Sequence, residues 1–377
     1  MLEYSALWTS SVKLAKSAIL ILDGTKVCGI TPSLAAKSRV TGPARGLVRS
    51  RGVAFKGAEV AAIDGFTMPV QAASVVLQED PKCGDVLFPF LNGEDMNTRP
   101  DLSARRWIVN FFDWPQERAA DYSICFKRIV EEVKPVLSDN NNPQLRDFWW
   151  RYKRPAPALQ MAIRGLDRVI AIALISKTVM PVMVPTGQVF SHMLGVFATE
   201  DTGMLALLSS APHYWWTLSR ASTMKTDVRY TPSDVFETLP LPEVTSEMRA
   251  LGDRLDRFRR DLMLARQAGL TRTYNMVHDP RCMDIDIVEL RQIHEMIDEA
   301  VCRAYGWDEL VPQLDHGHYG VGRETRYTVG PAVQRELVDR LLELNHERYA
   351  AEVAAGLHDK KNKRGRHTRG NDQDGLF

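Results

Sequence analysis

The sequence predicts an α+β fold, in which a domain built on a mixed sheet precedes a helical domain. Its 377 residues are 45% hydrophobic, which is enough to bury a sizeable core. Short apolar runs typical of strands dominate up to about residue 240. After the proline-rich segment Leu239–Pro242, apolar residues recur every three or four positions, as in packed helices. The predicted parts of the chain are 1–33, 34–240, 241–354 and 355–377.

The first part contains two predicted strands, Ser17–Leu22 and Lys26–Ile30, joined by a turn at Asp23 and Gly24. Two strands are not stable by themselves. We therefore expect them to pair with a later part of this chain or with a neighbouring protein.

The second part mixes strands with a few helices. One helix is predicted to begin at Pro115 and to end before Pro135, and another to cover Gly203–Trp216. The predicted strands are Arg106–Phe112, Val169–Ile175 and Val179–Val184.

The third part has the apolar spacing of helices that pack against each other. Its predicted helices cover Met248–Ala265, Leu290–Ala304 and a segment that begins at Gly330 and Pro331 and continues through Leu344. In the fourth part, six of the ten residues 360–369 are basic and none is apolar. We expect this tail to be disordered and to contact nucleic-acid phosphates only nonspecifically.

The composition favours a cytoplasmic protein. Five cysteines are an odd number without close pairing, which fits a reducing compartment better than a disulfide framework and argues against a zinc site. The apolar stretch Ala18–Leu22 is far too short to span a bilayer, and no charged leader with a cleavage site precedes it.

Charge is distributed unevenly, although the formal net charge is only +1. Residues 35–58 contain six basic residues and no acidic one, and residues 146–177 contain seven basic and two acidic residues. Residues 241–350 hold 15 basic and 20 acidic residues. This asymmetry is expected when one part of a surface meets a polyanion. The alternative is ordinary solvated surface charge.

The motifs of several catalytic classes are missing. A methyltransferase acting on an adenine amino group needs a Gly-rich turn after a strand and a polar-Pro-Pro-aromatic loop, and the sequence has neither. It also has no phosphate-cradling loop and no two-cysteine zinc spacing. We therefore assign no catalytic, cofactor-binding or metal-binding residue in this chain.

Two weaker patterns leave alternatives open. Asp121, Glu132 and Lys134 have the formal spacing of a magnesium-dependent nuclease, but they fall on a predicted helix, whereas such carboxylates converge from strands. His316 and His318 beside Asp315 could bind a metal ion, although a turn with exposed imidazoles explains them as well. A third possibility is a non-catalytic protein-interaction module.

The aromatic cluster 148–152, which contains Phe148, Trp149, Trp150 and Tyr152, is interleaved with basic residues. Such a cluster could stack on exposed nucleobases. Tryptophans in this setting more often anchor a hydrophobic core.

One stretch of the chain resembles a known family. The runs DVLFPFLNGED at 85–95 and RWIVNFFD at 106–113 resemble the start of the target-recognition domain of single-chain restriction-modification enzymes of the MmeI kind, Type IIG/IIL. The run RYTPSDVFETLP at 229–240 is the most specific signal, and the resemblance covers roughly residues 15–350. It implies a phage-defence system that methylates adenine N6 from S-adenosylmethionine. The catalytic core of such enzymes is missing from this sequence, so the expected partners are double-stranded DNA and a methyltransferase core or subunit.

Sequence-specific binding requires side chains that reach phosphates and base edges. Basic residues embedded in the recognisable region, with one serine, are the predicted DNA-binding residues. For each basic residue the alternative is a solvated charge or an internal ion pair. The set is Arg99, Arg105, Arg106, Arg168, Lys177, Arg220, Ser222, Lys225 and Arg229.

Overall fold

The computed structural model describes residues 20–22, 25–27, 39–176, 178–224, 227–322 and 324–359. The chain forms two units, one ending at Pro43 and the other covering Ala44–Phe377. In the first unit, strands β1 (Leu20–Leu22) and β2 (Thr25–Val27) form an antiparallel pair with Leu20 opposite Val27. Both lie at the positions where the sequence predicts strands. This division at Pro43 does not test the limits that the sequence predicts for the parts of the chain, at residues 33, 240 and 354. Those limits stay predictions.

The second unit combines short strands with helices, as expected for an α+β fold. No helix among the described residues is long and apolar enough to cross a bilayer. Among the described residues, 3₁₀ helices lie at Val48–Ser50, Pro81–Asp85 and Asp308–Gln313. The strands are β3 (Ala54–Lys56), β4 (Thr67–Pro69), β5 (Leu87–Leu91), β6 (Arg106–Val109), β7 (Arg168–Ala173), β8 (Ile175–Ser176), β9 (Val182–Pro185), β10 (Val189–Phe190), β11 (Leu194–Phe197), β12 (Ser222–Met224), β13 (Asp227–Arg229), β14 (Gly317–Val321) and β15 (Glu324–Thr328).

Helices separate these strands and then take over after residue 245. They are α1 (Ile63–Phe66), α2 (Val70–Glu79), α3 (Gly93–Thr98), α4 (Gln116–Ala120), α5 (Ser123–Glu132), α6 (Lys134–Leu137), α7 (Pro143–Asp147), α8 (Pro157–Ala162), α9 (Thr202–Ser209), α10 (Ala211–Arg220), α11 (Ser246–Ala265), α12 (Leu270–His278), α13 (Ile285–Ala304) and α14 (Pro331–Ala354).

The first sheet has the strand order β10-β5-β6-β4, in which β10 is parallel to β5 and the other pairs are antiparallel. It packs with α4–α6 around one hydrophobic core. Trp149, Trp150 and Tyr152 are buried in this core, and the Tyr152 hydroxyl donates to the Val109 carbonyl at 2.8 Å. Only Phe148 of the aromatic cluster 148–152 is substantially exposed. The core-anchor alternative is therefore confirmed for three of its four aromatic residues.

The second sheet has the order β3-β11-β7-β9 and is antiparallel throughout. From the second residue onward, every residue of β7 is buried. All of β11 is buried as well. Burial on both faces explains why this part of the sequence has continuous rather than alternating apolar runs. β7 leads through Leu174 directly into β8, which belongs to a third sheet of order β12-β13-β8.

The helix predicted over Gly203–Trp216 is two helices in the structure. Ser210 ends α9 and serves as the N-cap of α10, where its hydroxyl accepts from the His213 amide, and Pro212 lies in the first turn of α10. Proline cannot continue the hydrogen-bond ladder of a preceding helix. The segment after Pro115 is likewise divided into the short helices α4, α5 and α6.

The helices after residue 245 pack directly on the sheet-containing part. α11 runs along α9 so closely that a Cβ atom placed on Gly252 would lie 1.8 Å from the Thr202 carbonyl oxygen. α12 lies against α3, α13 against α9, and α14 against α10. The two parts that the sequence distinguishes by periodicity therefore share an extensive buried boundary within residues 44–377.

Candidate nucleic-acid interface

The hairpin β12–β13, paired with β8, brings several predicted DNA-binding positions together. Ser222 lies opposite Arg229, and Arg229 lies opposite Ile175 on β8. These positions are 7 and 54 residues apart in sequence and become neighbours only through strand pairing. Lys177 and Lys225 lie outside the described residues, as does the side chain of Ser222.

Arg220 ends α10 immediately before this hairpin. Its guanidinium lies 4.6 Å from the centre of the Trp216 ring, one helical turn earlier, which is cation–π geometry. Its Nε is buried and has no hydrogen-bond partner among the described residues. Burial lowers the pKa of Arg220. A buried N–H donor without a partner costs about 1–3 kcal/mol.

Arg229 ends β13 with its side chain exposed. In the part of the chain that the structure describes, this side chain has no hydrogen bond and no ion pair. It is therefore a cation presented to solvent from a short strand, whose backbone is held on one side by β12 and on the other by β8.

The residue after Arg229 anchors the hairpin in the core. The Tyr230 amide donates to the Leu174 carbonyl at 2.8 Å, and its hydroxyl lies 3.0 Å from Nε2 of His213. Nδ1 of His213 is 2.7 Å from the Leu208 carbonyl, which can only accept. Nδ1 therefore carries the proton, and Nε2 accepts from Tyr230. Burial lowers the pKa of His213 to about 4, so this imidazole stays neutral at pH 7.

The RYTPSDVFETLP segment is a structural support behind the hairpin. Val235, Phe236 and Leu239 are fully buried, and the Phe236 ring packs edge-on against Phe197 with centroids 4.9 Å apart. The indole N–H of Trp216 donates to the Val235 carbonyl at 3.0 Å. Trp216, which sequence reasoning did not single out, thus supports both this segment and Arg220. The sequence signal that could have identified Trp216 is its position four residues before Arg220 on the same helix.

Arg99, Arg105 and Arg106 form a second group, around α3 and the start of β6. Each of them lies within 3.6 Å of a carboxylate oxygen. Arg99 Nε is 3.2 Å from Asp101, and Arg105 Nε is 3.2 Å from the buried Asp95. Arg106 is 3.6 Å from Asp64. Each of these arginines has a carboxylate nearby, so a phosphate would have to compete with that carboxylate.

Arg168 stands apart from both groups. It begins β7 and bonds Asp256 of α11 at 3.0 Å, so it links the second sheet to the helical part.

The hairpin group and the group around α3 lie on adjoining elements. A Cβ on Gly93, the first residue of α3, would be 3.8 Å from the Cβ of Ala173, at the end of β7 that leads into β8.

Known proteins share this architecture. No protein-family model matches the chain. A segment of 117 residues, 31% of the chain, is 29% identical to DNA methyltransferase A of Bacillus subtilis (strain 168) and spans 12% of that protein. Among solved structures, the Type IIL restriction-modification enzyme MmeI in complex with DNA matches 86% of the chain with a TM-score of 0.60 and 16% identity. The fold is MmeI-like. The chain spans 39% of the MmeI chain.

In this MmeI-like fold, the residues of the nuclease alternative lie on or directly after helices and not on strands. Asp121 follows the last residue of α4, Glu132 ends α5 and Lys134 begins α6. The Lys134 ammonium lies 5.2 Å from the centre of the Trp149 ring. Among the described residues, no group of three or more His, Cys, Asp or Glu side chains is arranged to hold a metal ion.

His316 and His318 do not form the exposed turn that we considered. His316 Nε2 bonds Asp298 at 3.0 Å with both side chains largely buried. Burial opposes protonation of His316, but the hydrogen bond and the negative charge of Asp298 outweigh it and raise the pKa of His316. His318 lies on β14, and its Nε2 is buried. The second carboxylate oxygen of Asp298, on α13, accepts from the Ala211 amide at 2.6 Å, so Asp298 links His316, the residue before β14, to the start of α10.

Proposed function

We propose that this chain is a sequence-specific DNA-recognition module of an S-adenosylmethionine-dependent adenine-N6 DNA methyltransferase or restriction-modification system. Its β12–β13 hairpin, with β8 and the end of α10, would face the duplex. Three observations support this: the likeness to a DNA methyltransferase, the MmeI-like fold, and the chemistry of the hairpin.

The proposal rests on a difference between the arginines in whether a carboxylate lies beside them. Among the predicted DNA-binding arginines that the structure describes, Arg99, Arg105, Arg106 and Arg168 have carboxylate partners within 3.6 Å. Arg220 has a buried Nε without a partner, and Arg229 is exposed without an anion. These two lie at the same short sheet. Phosphate oxygens supply what both side chains lack, a negative charge and hydrogen-bond acceptors.

The methyl-transfer chemistry would reside elsewhere. The sequence has no Gly-rich cofactor turn and no polar-Pro-Pro-aromatic loop. We therefore propose that a methyltransferase core, separate from these 377 residues, binds S-adenosylmethionine and the target adenine, while this module positions that core on its site. Incubation of the chain alone with radiolabelled S-adenosylmethionine and mixed-sequence duplex should give no methylated DNA. Incorporation above background would show that the chain is itself a methyltransferase.

Binding to duplex DNA as a function of salt tests the hairpin assignment. The logarithm of the affinity falls with the logarithm of the salt concentration, by roughly 0.9 for each phosphate contact. Arg229→Ala should weaken binding of a mixed-sequence duplex and reduce this slope by about one contact. Arg281→Ala is the matched control, because Arg281 is similarly exposed but bonds Asp279 at 3.1 Å on the loop after α12.

Comparison of the two variants distinguishes the loss of a specific phosphate contact from the loss of one positive charge anywhere on the surface. Equal slopes for Arg229→Ala and Arg281→Ala would remove Arg229 from the interface. Failure of the unaltered chain to bind duplex DNA at low salt would overturn the proposed function itself.

A further inference from the structure

A cleft of about 260 Å³ opens at the edge of the first sheet, away from the hairpin β12–β13. Its apolar walls include Phe88 of β5, Phe112 after β6, Leu159 of α8 and Val189 of β10. The volume is just below the range of roughly 300–1,000 Å³ that is typical for drug-sized ligands. It suits a ligand smaller than a typical drug, about the size of one ring system.

Two residues with unusual backbone geometry line this cleft. Phe112 has φ +52° and Ala156 has φ +53°, in the left-handed region that disfavours side chains with a Cβ. The Asn110 Oδ1 holds Phe112 in place by accepting from its amide at 2.9 Å. The Phe112 ring lies edge-on to Phe88, with centroids 6.0 Å apart. Strained residues that the surrounding structure enforces are concentrated at binding sites.

The polar groups of the cleft are amides with unused hydrogen-bonding capacity. Asn110 is only 3% exposed, and its Nδ2 donor has no partner among the described residues, because the bond to Phe112 uses Oδ1. Gln160 and Gln188 donate their Nε2 groups to the carbonyls of Pro155 and Pro185, at 3.0 and 2.8 Å. Their Oε1 acceptors remain for a ligand. The cleft thus offers the amide donors of Asn110 and two free acceptors, besides the second N–H of each glutamine.

Arg164 supplies a positive charge at the same place. Its side chain lines the cleft, is exposed, and has no carboxylate partner in the described part of the chain. A small cleft lined by aromatic and aliphatic side chains, with amide donors and acceptors, matches a nucleobase, and a neighbouring guanidinium matches its phosphate. The two acceptors of Gln160 and Gln188 require two donor hydrogens on the ligand, which the exocyclic amino group of adenine provides and uracil, with its single N3–H, does not.

We propose that this cleft binds an unpaired nucleobase with an exocyclic amino group, of which adenine is the type, and that Arg164 contacts the attached phosphate. The base would come either from a nucleotide displaced from DNA or from a free nucleotide. The first source rests on the proposed function, whereas the second does not.

Calorimetric titration of the full chain with adenosine 5′-monophosphate tests the chemistry. Uridine 5′-monophosphate, which has no amino group, and ribose 5-phosphate, which has no base, are the matched ligands. Gly187 lines the cleft, and a Cβ built there meets nothing within 4 Å, so the backbone tolerates a side chain at this position and Gly187→Leu should narrow the opening. Gly320, on β14, has equally open surroundings, and Gly320→Leu is the control variant.

We expect adenosine 5′-monophosphate to bind at least about tenfold more tightly than either matched ligand, and Gly187→Leu to weaken it about tenfold, the size of one lost base-stacking contact. Asn110→Asp keeps the acceptor for the Phe112 amide and removes the donor, so it should also weaken binding. Equal affinities for the three ligands, or unchanged binding by both Gly187→Leu and Asn110→Asp, would overturn the proposal.

Two duplexes, fully paired or with one unpaired adenine, identify the source of the base. Preference for the unpaired adenine that is lost in Gly187→Leu, with paired-duplex affinity unchanged, assigns the cleft to displaced DNA bases. Binding of the mononucleotide without this preference assigns it to free nucleotides. If the paired duplex fails to bind while the mononucleotide binds, the proposed DNA function is wrong and the cleft assignment stands.

Discussion

The contact between α9 and α11 allows one substitution to be worked out in detail. Gly252 lies in the interior of α11, where its missing side chain lets the two helices approach. A Cβ atom at this position would be 1.8 Å from the Thr202 oxygen, 2.6 Å from the Thr202 carbonyl carbon and 3.3 Å from the Ala206 nitrogen. Every one of these atoms belongs to the backbone of α9, so no side-chain rotation can relieve the overlap.

Two opposing effects determine the result of Gly252→Ala. Alanine is favoured over glycine inside a helix by about 1 kcal/mol. A close carbon–oxygen contact needs about 3.3 Å, so the helices would have to separate by about 1.5 Å along that direction. A gap of 0.5–1 Å already forfeits about a quarter to a half of each attractive contact, and overpacking a core costs roughly 1–3 kcal/mol. We expect the upper end of this range and a net destabilisation of about 2 kcal/mol.

Urea unfolding followed by far-ultraviolet circular dichroism measures this difference. With a slope of about 3 kcal/mol per molar urea, the midpoint should fall by roughly 0.7 M. Gly320→Ala, at the glycine with open surroundings on β14, should change stability by less than about 0.5 kcal/mol. If Gly252→Ala is as stable as the unaltered chain or more stable, α9 and α11 do not approach as described, and the argument that a buried boundary joins the two parts fails.

Two further stability predictions follow from buried or strained groups. Burial lowers the pKa of His213 to about 4 and of His294 to about 3. Both therefore bind a proton more readily when unfolded, near pH 6.5. Above pH 6.5 neither state is protonated, and the two histidines do not change the free energy of unfolding. As the pH falls from 6.5 towards 4, protonation of the unfolded chain lowers the free energy of unfolding by about 1.4 kcal/mol per pH unit for each histidine. Unfolding free energies at pH 7, 6, 5 and 4.5 measure this, and His213→Gln should reduce the slope by about 1.4 kcal/mol per pH unit, whereas an unchanged slope would contradict the assignment. Gln267 is exposed at the C′ position of α11 with φ +47°, where the Ala268 amide bonds the Met263 carbonyl at 3.0 Å. Gln267→Gly should raise stability by about 0.5–1 kcal/mol in the same urea assay, and a loss of stability would argue against this helix end.

The sequence predicted an element correctly where its apolar spacing is compatible with only one type of secondary structure. α11 and α13 run over Ser246–Ala265 and Ile285–Ala304, and α14 begins at Pro331, close to the predicted bounds. A three- or four-residue apolar period makes an amphipathic helix the only way to bury those side chains. The α+β class was predictable for the same reason, because the period changes after Pro242.

Local patterns were less reliable where neighbours in space decide the outcome. The helix predicted over Gly203–Trp216 breaks at Ser210, since capping by its hydroxyl and the buried bond from the Ala211 amide to Asp298 outweigh helix continuity. His316 was considered as an exposed imidazole, but a partner 18 residues earlier buries it. Neither interaction is visible from adjacent residues.

The candidate site shows the same division. The sequence by itself determined which residue types were present, and it placed Arg220, Ser222 and Arg229 in a recognisable segment. Only the tertiary structure decided which arginines are neutralised. Arg168 meets Asp256, 88 residues later, while Arg229 meets no carboxylate among the described residues. The cleft beside Phe112 could not be predicted from the sequence, because its walls come from five separate segments. Electrostatic pairing and cavity shape depend on distances through space, which strand pairing and helix packing set and local sequence does not encode.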